Sequence, residues 1–179
     1  FTTIQANKSF ISSCAKLYKK NLFEDIRFPI GKLYEDAFTN YKIIDKINKI
    51  AYVKSSMYNY YQRQGSIMGG SFNEKSMQLI ECFMEAKSFF EEKKEFDIAA
   101  KFIPPILMRQ IYCYWGQKVV LKNDNAAKKI MEDYRRNLKF PNGMKHLKKR
   151  WQIVFWMLGR FPVLYLIYRR YSPFLYNGR

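Results

Sequence analysis

The chain has 179 residues, 48% of them hydrophobic, which predicts a folded chain of one ordinary domain or parts of two and argues against intrinsic disorder. Its formal net charge of +17 exceeds what solubility requires and indicates an anionic partner: nucleic acid, an anionic membrane or a phosphorylated ligand. The cysteines lie far apart without CxxC spacing and there is one histidine, which argues against a disulfide framework or a zinc site and favours a reducing compartment.

The beginning of the chain and its charge pattern bear on its organisation. It starts at Phe1 without a methionine, a charged leader or a small-residue cleavage site. These features predict no signal peptide and a piece of a longer protein. Acidic and basic residues alternate up to Asp133, whereas no Asp or Glu occurs from Tyr134 onward. This shift in charge predicts a functional division of the chain.

The first predicted elements surround two adjacent carboxylates, Glu35 and Asp36. Residues 1–20 form a short segment that leads into a turn of helix, and "IRFPIG" then brings the chain to the acids. From Glu35 to about Asn48, apolar residues recur at helical spacing. "KIAYV" (Lys49–Val53) is typical of a short strand, "SMYNYYQRQ" of a β-prone aromatic segment and "GSIMGGS" of a loop.

Everything after about Asn73 has a helical pattern, and Asn73 itself is the predicted N-cap of the first helix. A second predicted helix runs through "DIAAKFIPPILMRQIYCYWGQKVVL", and Pro104 and Pro105 should kink or break it. A third helix, "DNAAKKIMEDYRRNLKF", is predicted to follow an Asp cap.

The C-terminal stretch Trp151–Tyr168 is nearly all apolar, interrupted by Gly159-Arg160 and Pro162. A spanning helix needs ~20 apolar residues and tolerates a central arginine poorly, so two short helices in the membrane interface are favoured. The alternative is a hydrophobic helix buried in the protein core. The residues predicted to meet an anionic membrane are Lys148, Lys149, Arg150, Trp151, Trp156, Arg169 and Arg170.

Two interpretations of Glu35 and Asp36 follow from the residues alone. Acids at a helix start commonly interact with the helix dipole, which stabilises the protein by about 0.3–1 kcal/mol. A carboxylate in this position is also well placed to act as a general base. Arg63 follows in the aromatic segment, and an arginine there can neutralise a leaving phosphate.

The order of these features matches a known family. "AKLYKKNLFEDIRFPIGKLYEDAFTNYKIIDKINKIAYVKSSMYNYYQRQGSIM" (Ala15–Met68) resembles the later part of the catalytic domain of bacterial family 2 glycosyltransferases. These enzymes build capsular polysaccharide, exopolysaccharide and lipopolysaccharide repeat units. The matching pieces are "KLYKK", "RFP.GK.YED", "KIAYV" and "Y.YYQR..SIM", and their joint occurrence in this order is specific.

The resemblance implies a fold and a set of roles. The fold would be an α/β fragment of a GT-A, Rossmann-like catalytic domain followed by a mostly α-helical C-terminal region, with helix dominating this chain. Asp36 would be the catalytic base of an inverting displacement, with Glu35 beside it to orient the acceptor or the loop. Arg63 and Ser66 would bind the donor diphosphate, for which the planar fork of an arginine is suited.

Some parts of the family pattern do not occur in these residues. There is no DxD motif, so the divalent metal (Mg or Mn) implied for the full enzyme has no site predicted in this chain. The opening strand and turn of the family are also missing. "QRQGS" lacks the tryptophan that follows the arginine in processive synthases, which disfavours a processive polymer synthase.

Together these features predict a catalytic portion at residues 1–72, a helical extension at 73–140 and a membrane-associating tail at 141–179. The predicted function is transfer of a sugar from a nucleotide diphosphate-sugar to a lipid-linked saccharide at the cytoplasmic face of the membrane, with a peripheral or monotopic protein and no nucleic acid partner. This chain alone, without the donor-binding half, is expected to be inactive. The alternative is a non-catalytic basic helical module that binds nucleic acid or mediates assembly.

Overall fold

The structure, a computed structural model, describes residues 12–55, 57–59, 61 and 71–171, and of Tyr171 the backbone only. Short 3-10 helices occur at Lys20–Phe23 and Glu74–Met77, and a π-helical segment at Gly116–Val120. The α-helices are α1 (Glu35–Lys46), α2 (Gln78–Glu92), α3 (Phe96–Ala100), α4 (Ile103–Trp115), α5 (Asp124–Leu138), α6 (Lys149–Arg160) and α7 (Val163–Tyr171).

No strand forms within these described ranges, and the strand predicted at Lys49–Val53 is wrong. The segment is irregular and its apolar side chains are exposed, with Tyr52 at 73%. A strand exists only when a neighbouring strand takes its backbone hydrogen bonds, and the pattern of one segment cannot supply that neighbour. The GT-A assignment of residues 1–72 stays a prediction.

The chain forms two compact units, residues 1–82 and 83–179. In the first unit, α1 begins at Glu35 as its apolar spacing predicts, and it buries Phe38, Tyr41 and Ile43. The predicted cap at Asn73 is confirmed, because the Ser76 hydroxyl accepts a hydrogen bond of 3.2 Å from the Asn73 backbone amide. This pairing begins the 3-10 turn that continues into α2.

The second unit has a hydrophobic core that α4 and α5 supply, and it includes Ile103, Leu107, Ile111 and Met131. The two adjacent prolines stand in the first turn of α4 and begin that helix. The predicted break therefore occurs before the prolines, between α3 and α4. Amide groups in the first turn of a helix have no hydrogen-bond partner within the helix, so prolines there cost no hydrogen bond.

The N-cap of α5 is Asn123, one residue before the predicted Asp cap. Its side-chain oxygen accepts a hydrogen bond of 3.0 Å from the Ala126 amide, which is the geometry of a capping residue. Asp124 occupies the first helical position instead, where its charge interacts favourably with the helix dipole.

The C-terminal apolar stretch forms two helices, as predicted, with the break at Phe161 and Pro162. Neither α6 nor α7 alone has the length and apolar content to cross a bilayer, and the same holds for every helix in the described part of the chain. Taken together the two helices have enough length and apolar content to cross a bilayer, but they are bent by 106° with respect to each other.

Gly159 lies inside α6, not at the break between the two helices, and it is the point where α6 approaches α5 closely. A Cβ atom at this position would lie 3.1 Å from the Cε1 atom of Tyr134 on α5, so the helices meet without a side chain between them. Next to it the Tyr134 hydroxyl donates a buried hydrogen bond of 2.8 Å to the Phe155 carbonyl. Burial raises the pKa of Tyr134, so this hydroxyl stays protonated and available as a donor.

We expect Tyr134→Phe to lower the free energy of unfolding by about 1 kcal/mol, because a single buried hydrogen bond contributes that much. Urea unfolding followed by circular dichroism would measure the loss. Tyr168→Phe is the matched control, because Tyr168 is an exposed residue of α7. Equal stability of the two variants would contradict the role assigned to the Tyr134 hydroxyl.

Candidate active site

The turn before α1 sets the position of the two carboxylates. Gly31 has φ +76° and Tyr34 has φ +63°, both in the left-handed region. Glycine adopts this conformation freely, whereas a tyrosine there stores strain of about 1–3 kcal/mol. Because Tyr34 immediately precedes Glu35, the strained residue fixes the direction in which the helix leaves the turn.

Hydrogen bonds hold this turn against the start of α2, within the same unit. The Leu33 amide donates to the Gln78 side-chain oxygen over 2.7 Å. The Lys32 ammonium pairs with the Glu81 carboxylate over 2.6 Å and also lies 5.4 Å from the centroid of the Phe38 ring. The start of α1 is therefore fixed by contacts on both sides.

Asp36 is partly buried, and its Oδ1 atom accepts a hydrogen bond of 2.7 Å from the Ala37 amide. Burial raises the pKa of Asp36, and the neighbouring charge of Glu35 raises it further. Hydrogen bonds from the Ala37 and Ser13 amides oppose the rise but do not cancel it. A carboxylate with a raised pKa is a stronger base than an ordinary aspartate.

Glu35 has a different environment although it is the adjacent residue. Its side chain is exposed, and its backbone carbonyl accepts a hydrogen bond of 2.7 Å from the Thr39 hydroxyl. The structure thus separates the two acids, with Asp36 turned into the protein and Glu35 toward solvent.

Residues from the segment before the first 3-10 helix surround Asp36, and no sequence pattern indicated this contact. The charge of Asp36 acts on Cys14, Lys16 and Tyr18, and the amide of Ser13 hydrogen-bonds to it. Burial lowers the pKa of Lys16, while the nearby Asp36 opposes that change. A partly buried amine and a partly buried carboxylate thus lie in one polar cluster, which we name the Asp36 cluster.

The aromatic segment reaches the same cluster through Tyr58. Hydrogen bonds from the side chains of Tyr58 and Ser12 lower the pKa of the exposed Cys14 thiol. Arg63 and Ser66, predicted to bind the donor diphosphate, lie outside the described residues. Their roles stay predictions.

A metal site was expected only in sequence that this chain does not contain. In the described part of the chain, no three His, Cys, Asp or Glu side chains are grouped so that they could hold a metal ion. The Asp36 cluster brings one partly buried carboxylate together with the Lys16 amine, whose positive charge disfavours a divalent metal ion there.

The basic residues predicted to meet a membrane lie at both ends of the α6–α7 pair, and Trp156 lies between them. Lys148, Lys149 and Arg150 are exposed at the start of α6, and Trp156 is 60% exposed on the same helix. The large apolar side chains exposed along the pair are Trp151, Ile153, Val154, Trp156, Met157, Phe161, Val163, Leu164, Ile167 and Tyr168, which we name the tail apolar surface. This exposure contradicts the interpretation of the whole stretch as a buried core helix.

The two arginines near the end of α7 differ in their surroundings. The Arg169 guanidinium lies 4.1 Å from the centroid of the Trp115 ring and 5.8 Å from that of Tyr112. This cation–π stacking attaches α7 to α4. Trp151 and Arg170 are exposed, as a membrane-contacting role requires.

No model of a known protein family and no solved structure matches the chain. It is 48% identical over 65 residues to glycosyltransferase GlyA of Streptococcus pneumoniae and 33% identical over 78 residues to glycosyltransferase GlyG of the same organism. The matched segments are 35% and 43% of this chain, but they are 9% and 26% of the two relatives. The chain therefore resembles a part of each, and the similarity supports a glycosyltransferase role.

Proposed function

We propose that this chain is the C-terminal part of an inverting family 2 glycosyltransferase of the GT-A fold. The observation that carries the proposal is Asp36, a partly buried carboxylate with a raised pKa at the start of α1, in a chain similar to part of two glycosyltransferases. The order of the motifs from "KLYKK" to "YYQRQGSIM" supports the assignment to family 2.

In this proposal Asp36 is the catalytic base. Its carboxylate removes the proton from an acceptor hydroxyl, whose oxygen then forms a bond to the anomeric carbon of the donor sugar. The bond from that carbon to the nucleoside diphosphate breaks, and the diphosphate leaves with the bonding electrons. Because attack and departure occur on opposite sides of the carbon, the anomeric configuration inverts.

The remaining partners follow from the same proposal. Arg63 and Ser66 bind the donor diphosphate. A divalent metal, for which the described residues offer no site, would supply further positive charge beside the diphosphate in the complete enzyme. The acceptor is a lipid-linked saccharide of bacterial surface polysaccharide synthesis, such as that of a capsule or exopolysaccharide. Glu35, exposed beside the base, contacts the acceptor or the loop that covers it.

The α6–α7 pair holds the enzyme at the cytoplasmic face of the cell membrane. The tail apolar surface would enter the interface, while Lys148, Lys149 and Arg150 meet anionic lipid. A catalytic site held at that surface meets a membrane-bound acceptor without diffusing through the cytoplasm.

The test uses the complete protein that carries this chain. Purified enzyme, bacterial membrane lipids and a panel of nucleotide diphosphate-sugars would be incubated, and release of nucleoside diphosphate would be measured. We expect release with one donor, dependent on both the lipid fraction and a divalent metal. Absence of release with every donor, in the presence of lipid and metal, would contradict the proposal.

A further inference from the structure

An open cavity of about 240 Å³ lies in the second unit, where α4, the π-helical segment, α5 and the break between α6 and α7 meet. This volume is below the roughly 300 Å³ at which pockets for drug-sized ligands begin, so it suits a small group. The lining residues that matter for its chemistry are Tyr114, Lys118, Asp124, Lys128, Arg135 and Pro162. We name it the α5 cavity.

Helix geometry explains why charged residues converge there. Asp124, Lys128 and Arg135 are four and seven residues apart on α5, and such spacings place side chains on one face of a helix. Their neighbours Lys129 and Arg136 are also exposed but do not line the cavity. The helix thus presents one pair of cations to the cavity and a second pair elsewhere.

The cavity carries an excess of positive charge. Lys118 pairs with Asp124 over 2.8 Å, so these two charges compensate each other. The Arg135 Nε atom donates a hydrogen bond of 3.0 Å to the Gly159 carbonyl, which uses one of its five donors and leaves its charge uncompensated. Neither Lys128 nor Arg135 forms an ion pair within the described ranges, so two cations face the cavity together.

Two positive charges fit a terminal phosphate group. A phosphate monoester carries about −1.5 to −2 charges at neutral pH, whereas a phosphodiester carries one. The guanidinium and ammonium donors also match phosphate oxygens in geometry. Charge complementarity therefore favours a phosphate monoester or diphosphate terminus over a phosphodiester headgroup.

The position of the cavity indicates where the phosphate comes from. Pro162 lines it, and the residues on either side of this proline, Phe161 and Val163, are exposed members of the tail apolar surface. An apolar surface therefore begins at the rim of a cationic cavity. A lipid with a terminal phosphate complements both features, whereas a soluble phosphate compound complements only the cavity.

We propose that the α5 cavity binds the terminal phosphate of an anionic lipid whose hydrocarbon chains lie against the tail apolar surface. The proposal rests on the membrane association proposed above for the α6–α7 pair, and it adds recognition of one headgroup to general attraction by charge. A protein that carries this site would concentrate at membrane regions rich in phosphate-terminated lipids.

The test measures binding of the full chain to vesicles by flotation. One set of vesicles contains phosphatidylglycerol, a phosphodiester, and the other contains phosphatidic acid, a phosphate monoester, at matched surface potential. We expect about tenfold tighter binding to phosphatidic acid, because the second negative charge of its phosphate monoester interacts with the two cations that line the cavity. The double variant Lys128→Gln/Arg135→Gln should lose this preference.

The matched control is Lys129→Gln/Arg136→Gln, which removes two charges from the same helix outside the cavity. It should keep the preference for phosphatidic acid. Equal loss in both double variants would show diffuse attraction and overturn the proposal. Since Arg135→Gln also removes the contact with Gly159, Lys128→Gln alone is tested as well, and an unchanged preference in that variant would overturn the assignment of Lys128.

The remaining outcomes separate this proposal from the one it rests on. Binding to both vesicles without preference would overturn the α5 cavity as a headgroup site and leave the membrane association intact. Failure to bind either vesicle would overturn both. If inorganic phosphate or a nucleoside diphosphate competes as strongly as the lipid does, the cavity takes a soluble phosphate compound and the lipid assignment is wrong.

Discussion

Asp36→Asn should lower the rate of sugar transfer by about 10²–10⁴-fold in the complete enzyme, which is the contribution that a positioned general base makes. The asparagine keeps the shape of the side chain, and its oxygen can still accept the hydrogen bond from the Ala37 amide. It cannot accept the proton of the acceptor hydroxyl. Single-turnover transfer of a radiolabelled sugar, with donor binding measured separately, would quantify the loss.

Glu35→Gln is the matched control, because it removes the same charge one residue away from an exposed position. We expect a much smaller loss of rate, through acceptor or loop contacts. The decisive contradiction would be near-normal turnover in Asp36→Asn, which would leave the acid pair with only a structural role.

The pH dependence of the rate offers a second readout. The base acts when it is ionised, so the rate falls as the pH drops through the pKa of Asp36. Burial raises this pKa above the ordinary value of 3.8, so the fall begins at a higher pH than for an exposed aspartate. The charges near Asp36 are those of Glu35 and Lys16, and Lys16→Met should move the fall to still higher pH because a positive charge that favours the carboxylate is removed.

Stability measurements distinguish a base from a capping acid. The pKa of Asp36 is higher in the folded than in the unfolded chain. Its contribution to the free energy of unfolding is therefore most favourable below pH 3.8, and that contribution is lost as the pH rises through the pKa of the folded state. At neutral pH the ionised carboxylate is therefore destabilising, and Asp36→Asn should raise the melting temperature. If Asp36 instead stabilised the helix through its dipole, Asp36→Asn would lower the melting temperature.

The Asp36 site shows what can be predicted from the sequence and what cannot. The periodicity of α1 and the position of Asp36 in its first turn could be predicted, because both depend on residues within one helix. The approach of Ser13 and Lys16 could not, since they lie about twenty residues earlier and no local pattern specifies a contact at that distance. The function of a carboxylate depends on such neighbours.

The other differences between the predicted and the observed structure also arise because a local pattern does not reveal distant contacts. The segment Lys49–Val53 has the composition of a strand, but a strand requires a partner that a local pattern does not reveal. Pro104 and Pro105 were expected to interrupt a helix, yet a proline in the first turn begins one, and their effect depends on where the helix starts. The α5 cavity combines residues from three elements and from the break between α6 and α7, and only the spacing along α5 is visible in the sequence.

Removal of the basic cluster at the start of α6 should nearly abolish membrane binding. Each lysine or arginine near an anionic surface contributes about 1 kcal/mol, so Lys148→Gln/Lys149→Gln/Arg150→Gln should lower the partition coefficient on the order of 100-fold. Flotation with vesicles containing phosphatidylglycerol would measure it at low salt and again at high salt. The difference between wild type and variant should shrink at high salt, because surface charges are then screened.

The tail apolar surface should contribute to vesicle binding through apolar contacts, which salt does not screen. Ile153 is 58% exposed and Trp156 60%, so replacing both by serine removes apolar area without disturbing the buried Phe155 between them. This variant should bind vesicles more weakly at every salt concentration. An amphipathic helix at an interface depends on both contributions, whereas attraction by net charge alone would leave the serine variant unchanged.

A third variant tests whether the site of the charge matters. Lys19→Gln/Lys20→Gln/Lys49→Gln removes three exposed charges from the first unit, so the net charge falls by as much as in the triple variant at the start of α6. It should bind vesicles as the wild type does. If it loses as much affinity, or if the wild-type chain is retained by DNA but not by vesicles, the positive charge serves diffuse or nucleic-acid binding, and the membrane role of the α6–α7 pair is wrong.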